Sequence, residues 1–170
     1  GFGGLLKRKD IVLEPLINGG ASTSIYRSGT PVVGQICALE KALDITFKNF
    51  NERQKYVTKL NNKLRDGLSK YKNVKINTKS NENPFILNIS VTGVKATEFK
   101  NKLEDYGVCV SIKSACTVTI TPSRIVLAMT HDRKRALASW RISLSHLVKE
   151  EEIDEFLNIF DKCYKYFNLA

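Results

Sequence analysis

The sequence predicts an α+β fold in which helices cover one face of a mainly antiparallel sheet. Apolar residues recur at helical spacing in four segments, and short alternating apolar runs indicate four strands. Helices and strands follow one another without strict alternation, which favours this arrangement over a parallel sheet. At 170 residues the chain is long enough to bury one sizeable core.

The first thirty residues predict extended and loop structure, followed by a long helix. Residues 11–17 are an apolar run in which Pro15 argues against a helix, and residues 18–24 have a loop composition. Pro31 suits the first turn of the long helix, in which Asn51 marks a candidate kink. The apolar positions of this helix are Val32, Val33, Ile36, Leu39, Leu43, Phe47, Phe50, Val57, Leu60, Leu64, Leu68 and Tyr71.

The rest of the chain predicts the four strands and three further helices. In order, these are strands over 74–77 and 85–91, a helix over 96–106, a strand over 108–112, a helix over 123–138, a strand over 140–145 and a helix over 150–167. Gly107 is well placed to end the helix that precedes it. Asp132 is a candidate start for a second piece within the 123–138 segment.

The composition is that of an ordinary globular protein, with 42% hydrophobic and 26% charged residues. No apolar run approaches the length that crosses a bilayer, and no signal-peptide pattern opens the sequence. The four cysteines, at positions 37, 109, 116 and 163, have no CxxC spacing. They indicate reduced thiols and therefore a cytoplasmic protein.

The net charge of +10 raises the question of nucleic-acid binding. Residues 48–79 hold ten Lys and Arg against two acids, Glu52 and Asp66. The lysines recur on the polar side of a helical pattern, without interleaved aromatic residues, zinc-finger spacing or a recognisable binding motif. This pattern favours a solvated lysine-rich face over a nucleic-acid interface.

Cys116 lies in a run of small and hydroxyl residues, 114–119, between a predicted strand and a proline-started helix. Such a loop is exposed, and a nucleophilic thiol needs exposure and access to its thiolate form. The other three cysteines lie in apolar patterns, where thiols are usually buried and inert. Cys116 is therefore the candidate nucleophile, although a structural cysteine is the commoner case.

Arg141 and Thr30 occupy positions that suit anions. If Ile142 and Leu144 face the core, Arg141 faces the other way on its strand, as an ordinary surface arginine also would. Thr30 precedes the proline-started helix, where a hydroxyl and backbone N–H groups suit either a phosphate or simple capping. The two histidines have no ligand spacing with the cysteines, so no metal site is predicted.

Three short runs, taken with their order and spacing, resemble those of a known family. They are Arg27-Ser28-Gly29-Thr30, Ser114-Ala115-Cys116 and Trp140-Arg141-Ile142-Ser143-Leu144-Ser145. Together they resemble the C-terminal part of cysteine desulfurases, which are class V members of the pyridoxal phosphate (PLP) enzymes. The resemblance implies the C-terminal small domain of the fold-type I PLP-dependent transferases over residues 36–170, preceded by the tail of the large PLP-binding domain over residues 1–35.

The resemblance also implies roles for three residues. Cys116 matches the cysteine that takes sulfur from L-cysteine as a persulfide, releasing L-alanine, before sulfur passes to an acceptor protein for iron–sulfur clusters or another pathway. Arg141 matches an arginine that binds the α-carboxylate of the substrate, for which the planar guanidinium is suited. Thr30 matches a threonine that contacts the PLP phosphate of the neighbouring subunit, which implies a homodimer.

The lysine that holds PLP as a Schiff base in this family directly follows a histidine. His131 and His146 are followed by Asp132 and Leu147, so no lysine here matches. In the family that lysine lies shortly before a glycine-rich strand, which residues 1–6 resemble. We therefore expect a fragment that begins after the cofactor lysine and is inactive alone.

Two departures from the family pattern leave other functions open. The common Ser-Ser-Gly-Ser-Ala-Cys corresponds to residues 111–116, where Lys113 replaces glycine, reducing flexibility and adding a charge that favours the thiolate. Residues 18–23 differ from the His-Gly-Gly-Gly of many members. The alternatives are another class V enzyme, an aminotransferase or selenocysteine lyase, and a noncatalytic module whose basic helix binds an acidic partner.

Overall fold

The computed structural model of the chain describes residues 3–20, 24–80, 82–112 and 121–169. The chain divides into two compact units, Gly1–Phe50 and Asn51–Ala170. The described elements are, in order, α1 (Val33–Ser69), β1 (Val74–Ile76), β2 (Ile86–Val91), α2 (Ala96–Glu104), α3 (Arg124–Thr130), α4 (Arg133–Leu137), β3 (Ser139–Ser143) and α5 (Glu150–Tyr166). Their antiparallel sheet and helices confirm the predicted α+β class.

The first unit contains extended and turn structure followed by the N-terminal half of α1. Ile17 forms an isolated parallel bridge with Arg27, so the predicted extended segment pairs at one residue only. The helix begins two residues after Pro31 and continues through Asn51, which does not break it. None of the helices in the described ranges is long and apolar enough to cross a membrane.

The second unit is built on an antiparallel sheet with the described strands in the order β1-β2-β3. Leu87 and Ile89 of β2 lie opposite Ile142 and Trp140 of β3, and all four side chains are buried. Successive side chains of a strand point to opposite faces of the sheet. One face of the sheet is therefore apolar, and the other carries the polar residues of β2 and β3.

Helices complete the core on the apolar face. Trp140 stacks on Phe99 of α2 with ring centroids 5.8 Å apart, and Phe99 lies 5.2 Å from Phe160 of α5. Each fully buried side chain of this kind stabilises the fold by about 1.5–3 kcal/mol. Gly67 allows α1 to approach α5, because a Cβ there would lie 2.5 Å from Cδ1 of Leu157.

The predicted helix over 123–138 consists of two helices, as Asp132 indicated. His131 ends α3 in the left-handed conformation, with a φ of 53°, and is exposed. The carboxylate of Asp132 then caps α4 by accepting a hydrogen bond from the Arg135 backbone N–H.

The predicted strand over 108–112 is wrong as a regular strand. Among its residues only Ser111 pairs, in an isolated antiparallel bridge with Arg141. Val108, Val110 and Ile112 nevertheless pack against the core. The alternation in this segment therefore reflects burial of one side rather than a continuous hydrogen-bonded ladder.

Candidate functional site

Thr30 ends a tight loop that begins at Arg27. The backbone N–H of Ser28 donates to the carbonyl of Ile17 at 3.2 Å, which holds the start of the loop. Gly19 permits this close approach, because a Cβ at that position would lie 3.0 Å from Cβ of Ser28. Thr30 itself is exposed, three residues before the first residue of α1.

Gly29 shapes the same loop through its backbone. Its φ of +125° is a conformation that L side chains rarely adopt, and a Cβ there would lie 3.2 Å from Nη1 of Arg27. The loop therefore places a guanidinium beside the residue that precedes Thr30. A hydroxyl, a guanidinium and the start of a helix are donor types that suit a phosphate group.

Arg141 lies on the polar face of the sheet, as the burial of Ile142 and Leu144 requires. Its backbone is held on both sides of β3. Arg141 lies opposite Asn88 of β2, and it exchanges two backbone hydrogen bonds with Ser111, of 2.7 and 3.1 Å. A strand held on both sides thus fixes the point from which the guanidinium extends.

The guanidinium of Arg141 is exposed and has no acidic partner in the described ranges. This exposure leaves the side chain of Arg141 open to a carboxylate from solution, as it would for an ordinary surface arginine.

Further polar side chains on this face were not predicted from the sequence. Nδ2 of Asn77 donates to Oδ1 of Asn88 at 2.7 Å and to Oγ of Ser90 at 2.9 Å. Nε of Arg135 donates to Oδ1 of Asn77 at 2.7 Å. The pattern that could have revealed this network is the alternation of polar and buried apolar residues along β2.

Cys116 lies outside the described residues. Among the described residues that flank it in sequence, Ser111 pairs with Arg141 of β3, and the Ser123 N–H donates to the Ala136 carbonyl of α4 at 3.1 Å.

The other cysteines only partly follow the prediction. Cys163 is buried, and burial raises the pKa of its thiol, which disfavours the reactive thiolate. Cys37 and Cys109 are exposed, although the apolar patterns around them suggested burial. The apolar patterns therefore predicted burial correctly only at Cys163.

The lysine-rich face of α1 is partly paired within the second unit. Nζ of Lys59 lies 2.5 Å from Glu150, and Nζ of Lys63 lies 2.7 Å from Asp154. The hydrogen bond that Lys63 donates to the Asp154 carboxylate raises the pKa of Lys63. In the described part of the chain, no group of three or more His, Cys, Asp or Glu residues is arranged to hold a metal ion.

The predicted site residues lie in different units. Thr30 belongs to the first unit, where it is grouped with Arg27 and Gly29, and Arg141 belongs to the second, beside Ser111 and Asn88. The structure therefore defines a candidate phosphate loop and a candidate carboxylate-binding strand, each within its own unit.

Comparisons with known proteins agree on one family. The family model described as aminotransferase class-V matches residues 12–156. A cysteine desulfurase IscS of Mannheimia succiniciproducens is 32% identical over 97% of this chain and 41% of the relative. An IscS-like cysteine desulfurase of Mycobacterium tuberculosis is 30% identical over 94% of this chain and 42% of the relative.

Solved structures give the same result for the fold. A NifS-like protein matches with a TM-score of 0.79 and 32% identity, over 94% of this chain and 41% of that protein. A NifS-like protein from Rickettsia africae matches with a TM-score of 0.75 and 28% identity, over 89% of this chain and 40% of that protein. These similarities confirm the predicted fold, that of fold-type I PLP-dependent transferases.

The chain spans about two fifths of the length of the curated relatives it matches. The family model nevertheless covers most of the chain, and the polar strand and loop described above lie within the matched residues. The chain belongs to the class-V aminotransferase family.

Proposed function

We propose that this chain is part of a PLP-dependent cysteine desulfurase, which transfers sulfur from L-cysteine to Cys116 and releases L-alanine. The observation that carries the proposal is the pairing of Arg141 with Ser111. This pairing connects β3, from which the exposed guanidinium of Arg141 extends, to the start of the segment that leads to Cys116. The names of the curated relatives, which are cysteine desulfurases, support the same reaction class.

Arg141 is the proposed binding residue for the α-carboxylate of L-cysteine. A guanidinium forms two parallel hydrogen bonds with a carboxylate, which orients the substrate as well as holding it. Because β3 is paired on both sides at Arg141, the base of the side chain is fixed. The polar network around Asn77 keeps this face of the sheet hydrophilic.

Thr30 is the proposed phosphate contact of PLP, together with the start of α1 and Arg27. When bound, PLP withdraws electrons from the Cα of the substrate. We assign Thr30 to the active site of a neighbouring subunit in a homodimer. In this proposal residues 1–35 are the tail of the large PLP-binding domain, and residues 36–170 form the small domain.

Cys116 is the proposed sulfur acceptor. Its thiolate attacks the sulfur of the substrate, so that an S–S bond forms as the C–S bond breaks. The electron pair of the broken bond stays on the β-carbon, which takes up a proton and becomes the methyl group of alanine. The Cys116 persulfide then passes its terminal sulfur to an acceptor protein, in the cytoplasm, for iron–sulfur cluster assembly or another sulfur-transfer pathway.

Cys116→Ser tests this proposal in the protein that carries this chain together with the PLP-binding lysine. We expect PLP content to be unchanged and persulfide formation to be lost, because a serine hydroxyl is a poor nucleophile toward sulfur at neutral pH. The measurement is alkylation and mass analysis after incubation with L-cysteine, which detects one extra sulfur per chain.

Cys37→Ser and Cys109→Ser are matched controls, because both thiols are exposed. Each control should keep full turnover. Extra sulfur on either of these residues, or undiminished sulfide release by Cys116→Ser without added thiol, would contradict the proposal. Such a result would favour another class V enzyme, an aminotransferase or selenocysteine lyase.

A further inference from the structure

Asn88 of β2 is the residue that lies opposite Arg141 in the sheet. The backbone N–H and C=O of Arg141 both bond to Ser111, on the side of β3 that does not pair with β2. Asn88 and Arg141 therefore form a pair without direct backbone hydrogen bonds. In such a pair the Cα atoms are about 4.5 Å apart, and the side chains are closer than in a hydrogen-bonded pair. The amide and the guanidinium thus extend side by side from the polar face.

The side-chain amide of Asn88 is oriented by a chain of hydrogen bonds that begins at Arg135. A guanidinium has donors and no acceptor, so the Asn77 atom that lies 2.7 Å from Nε of Arg135 must be Oδ1. Nδ2 of Asn77 is then the donor to Oδ1 of Asn88, at 2.7 Å. Because Asn77 is only 9% exposed, water competes little for these bonds. The network therefore uses the oxygen of the Asn88 amide and leaves its nitrogen.

Nδ2 of Asn88 has no hydrogen-bond acceptor among the described residues, although the side chain is half-buried. It cannot donate to Arg141, because a guanidinium offers no acceptor. Two donor groups thus lie next to each other, and neither satisfies the other. A carboxylate has two oxygens with about four lone-pair sites, so it can accept from both groups at once.

We propose that Asn88 is a second binding residue for the α-carboxylate of L-cysteine, with Nδ2 donating to a carboxylate oxygen beside the guanidinium of Arg141. This inference rests on the proposed role of Arg141. The amide adds a neutral donor whose direction is set by the network, so it selects a ligand with a carboxylate at this position. Asn77 and Arg135 act through Asn88 and are positioning residues.

Two ligands that each lack one group of L-cysteine test this role. 3-Mercaptopropionate has the thiol and the carboxylate without the amine, and cysteamine has the thiol and the amine without the carboxylate. Calorimetry gives the dissociation constants of both ligands without turnover. The protein is the one that carries this chain together with the PLP-binding lysine, with Asn88→Ala and Arg141→Ala as the variants.

We expect Asn88→Ala to weaken 3-mercaptopropionate binding at least about tenfold, as for the loss of one hydrogen bond to a charged group, and cysteamine binding by less than roughly twofold. The variant should fold, because Nδ2 of Asn77 keeps its bond to Oγ of Ser90 at 2.9 Å. Asn73→Ala is the matched control. Asn73 is also half-buried, and its Nδ2 donates to the Leu169 carbonyl at 3.1 Å, outside the three strands. This control should leave both dissociation constants unchanged.

Asn88→Asp is a second variant that keeps an oxygen to accept from Asn77 and so preserves the network. It replaces the N–H donor by a charged oxygen, which repels a carboxylate. We therefore expect it to weaken 3-mercaptopropionate binding more than Asn88→Ala does. Urea midpoints of both variants show that the fold is kept.

Three outcomes would overturn the inference. The first is unchanged 3-mercaptopropionate binding by Asn88→Ala or Asn88→Asp when Arg141→Ala weakens it, which would leave the role of Arg141 intact. The second is equal weakening of both ligands by Asn88→Ala, because the amide would then support the site as a whole rather than bind the carboxylate. The third is unchanged binding by Arg141→Ala, which would remove the proposed carboxylate site and Asn88 with it. The Cys116 persulfide test is independent of all three.

Discussion

No described residue of the unit Gly1–Phe50 is buried, whereas the unit Asn51–Ala170 holds the buried core. The two candidate sites are divided in the same way. The loop before Thr30 is shaped by local features, namely the backbone of Gly29 and the Ser28–Ile17 hydrogen bond. Arg141 is instead held by a strand whose neighbours Trp140 and Ile142 are buried.

This difference shows that one chain can hold candidate site residues in place by two independent means. Local turn geometry needs only a few residues and one glycine with a positive φ. A strand position needs the whole core that holds the sheet. Damage to the core should therefore displace Arg141 and leave the loop of Thr30 intact.

The largest expected effect compares the same substitution in the two halves of α1. Leu60→Ala should lower the free energy of unfolding by about 2–5 kcal/mol, because it leaves a cavity around a completely buried position. Leu39→Ala, at a 40% exposed position, should change it by less than about 0.5 kcal/mol in the chain alone. Urea unfolding followed by the fluorescence of the single tryptophan, Trp140, measures both. Similar losses for the two variants would remove the contrast between the units.

In the proposed desulfurase, Arg141→Ala should weaken L-cysteine binding by about 2–4 kcal/mol, because the carboxylate loses a charge-assisted pair of hydrogen bonds. The free energy of unfolding should stay within about 0.5 kcal/mol, since the side chain is exposed. Ser143→Ala, an exposed position on the same face of β3, serves as the control. An unchanged KM and kcat for Arg141→Ala would remove this residue from the site.

In the proposed desulfurase, Thr30→Val should weaken PLP binding by about 1.5–3 kcal/mol, the contribution of one hydrogen bond to a charged group. Thr30→Ser keeps the hydroxyl and should bind PLP nearly as well as the unchanged protein. Absorbance titration with PLP measures both dissociation constants. Equal affinities for the two variants would show that the hydroxyl does not contact the phosphate.

Helices and most strands were predictable because their periodicity is strong. The second piece of the 123–138 helix followed from Asp132 alone, since a capping carboxylate marks a helix start. The predicted strand over 108–112 was wrong as a regular strand. Its alternation correctly placed Val108 and Val110 against the core, but alternation does not show which residues pair, and of this segment Ser111 alone pairs with β3.

Burial was less predictable than secondary structure. The apolar spacing of α1 is similar before and after Asn51, and yet only the second half is buried. Periodicity identifies the face that a helix can bury, and tertiary packing decides whether a cover exists. Cys109 is the opposite case, because its alternation with Val108 and Val110 could have shown that it faces outward.

At the candidate site, the orientation of Arg141 was predictable from the sequence, and the residues that surround it were less so. Its orientation followed from Ile142 and Leu144 because a strand alternates. The pairing with Ser111 joins distant parts of the chain and has no local pattern. For the network of Asn77, the alternation along β2 shows only that Asn88 and Ser90 share one face. Their positions depend on the register of β1, β2 and β3, which single residues do not encode.

The smallest expected effect is a pH dependence confined to the second unit. The Tyr71 hydroxyl donates to Oδ1 of Asp161 at 3.1 Å. Burial, with this hydrogen bond, raises the pKa of Tyr71 to about 12. The unfolded chain loses this proton near pH 10. Between about pH 10 and 12 the native state therefore holds a proton that the unfolded state has lost, so the free energy of unfolding falls as the pH rises.

Tyr71→Phe separates this contribution from other alkaline titrations. The variant keeps the ring contacts with Phe160 and Tyr164 and loses only the hydroxyl, which should cost about 1 kcal/mol at pH 8. The difference in the free energy of unfolding between the two proteins is fully present below about pH 10. It should shrink as the pH rises toward 12, because only the unchanged protein has a Tyr71 proton that is lost more easily in the unfolded state. Urea midpoints at several pH values measure this difference, and Tyr26→Phe in the first unit should leave the midpoints unchanged. Parallel curves for Tyr71→Phe and the unchanged protein across this range would mean that Tyr71 has the same pKa in the folded and unfolded states. Neither burial nor the hydrogen bond to Asp161 would then raise that pKa.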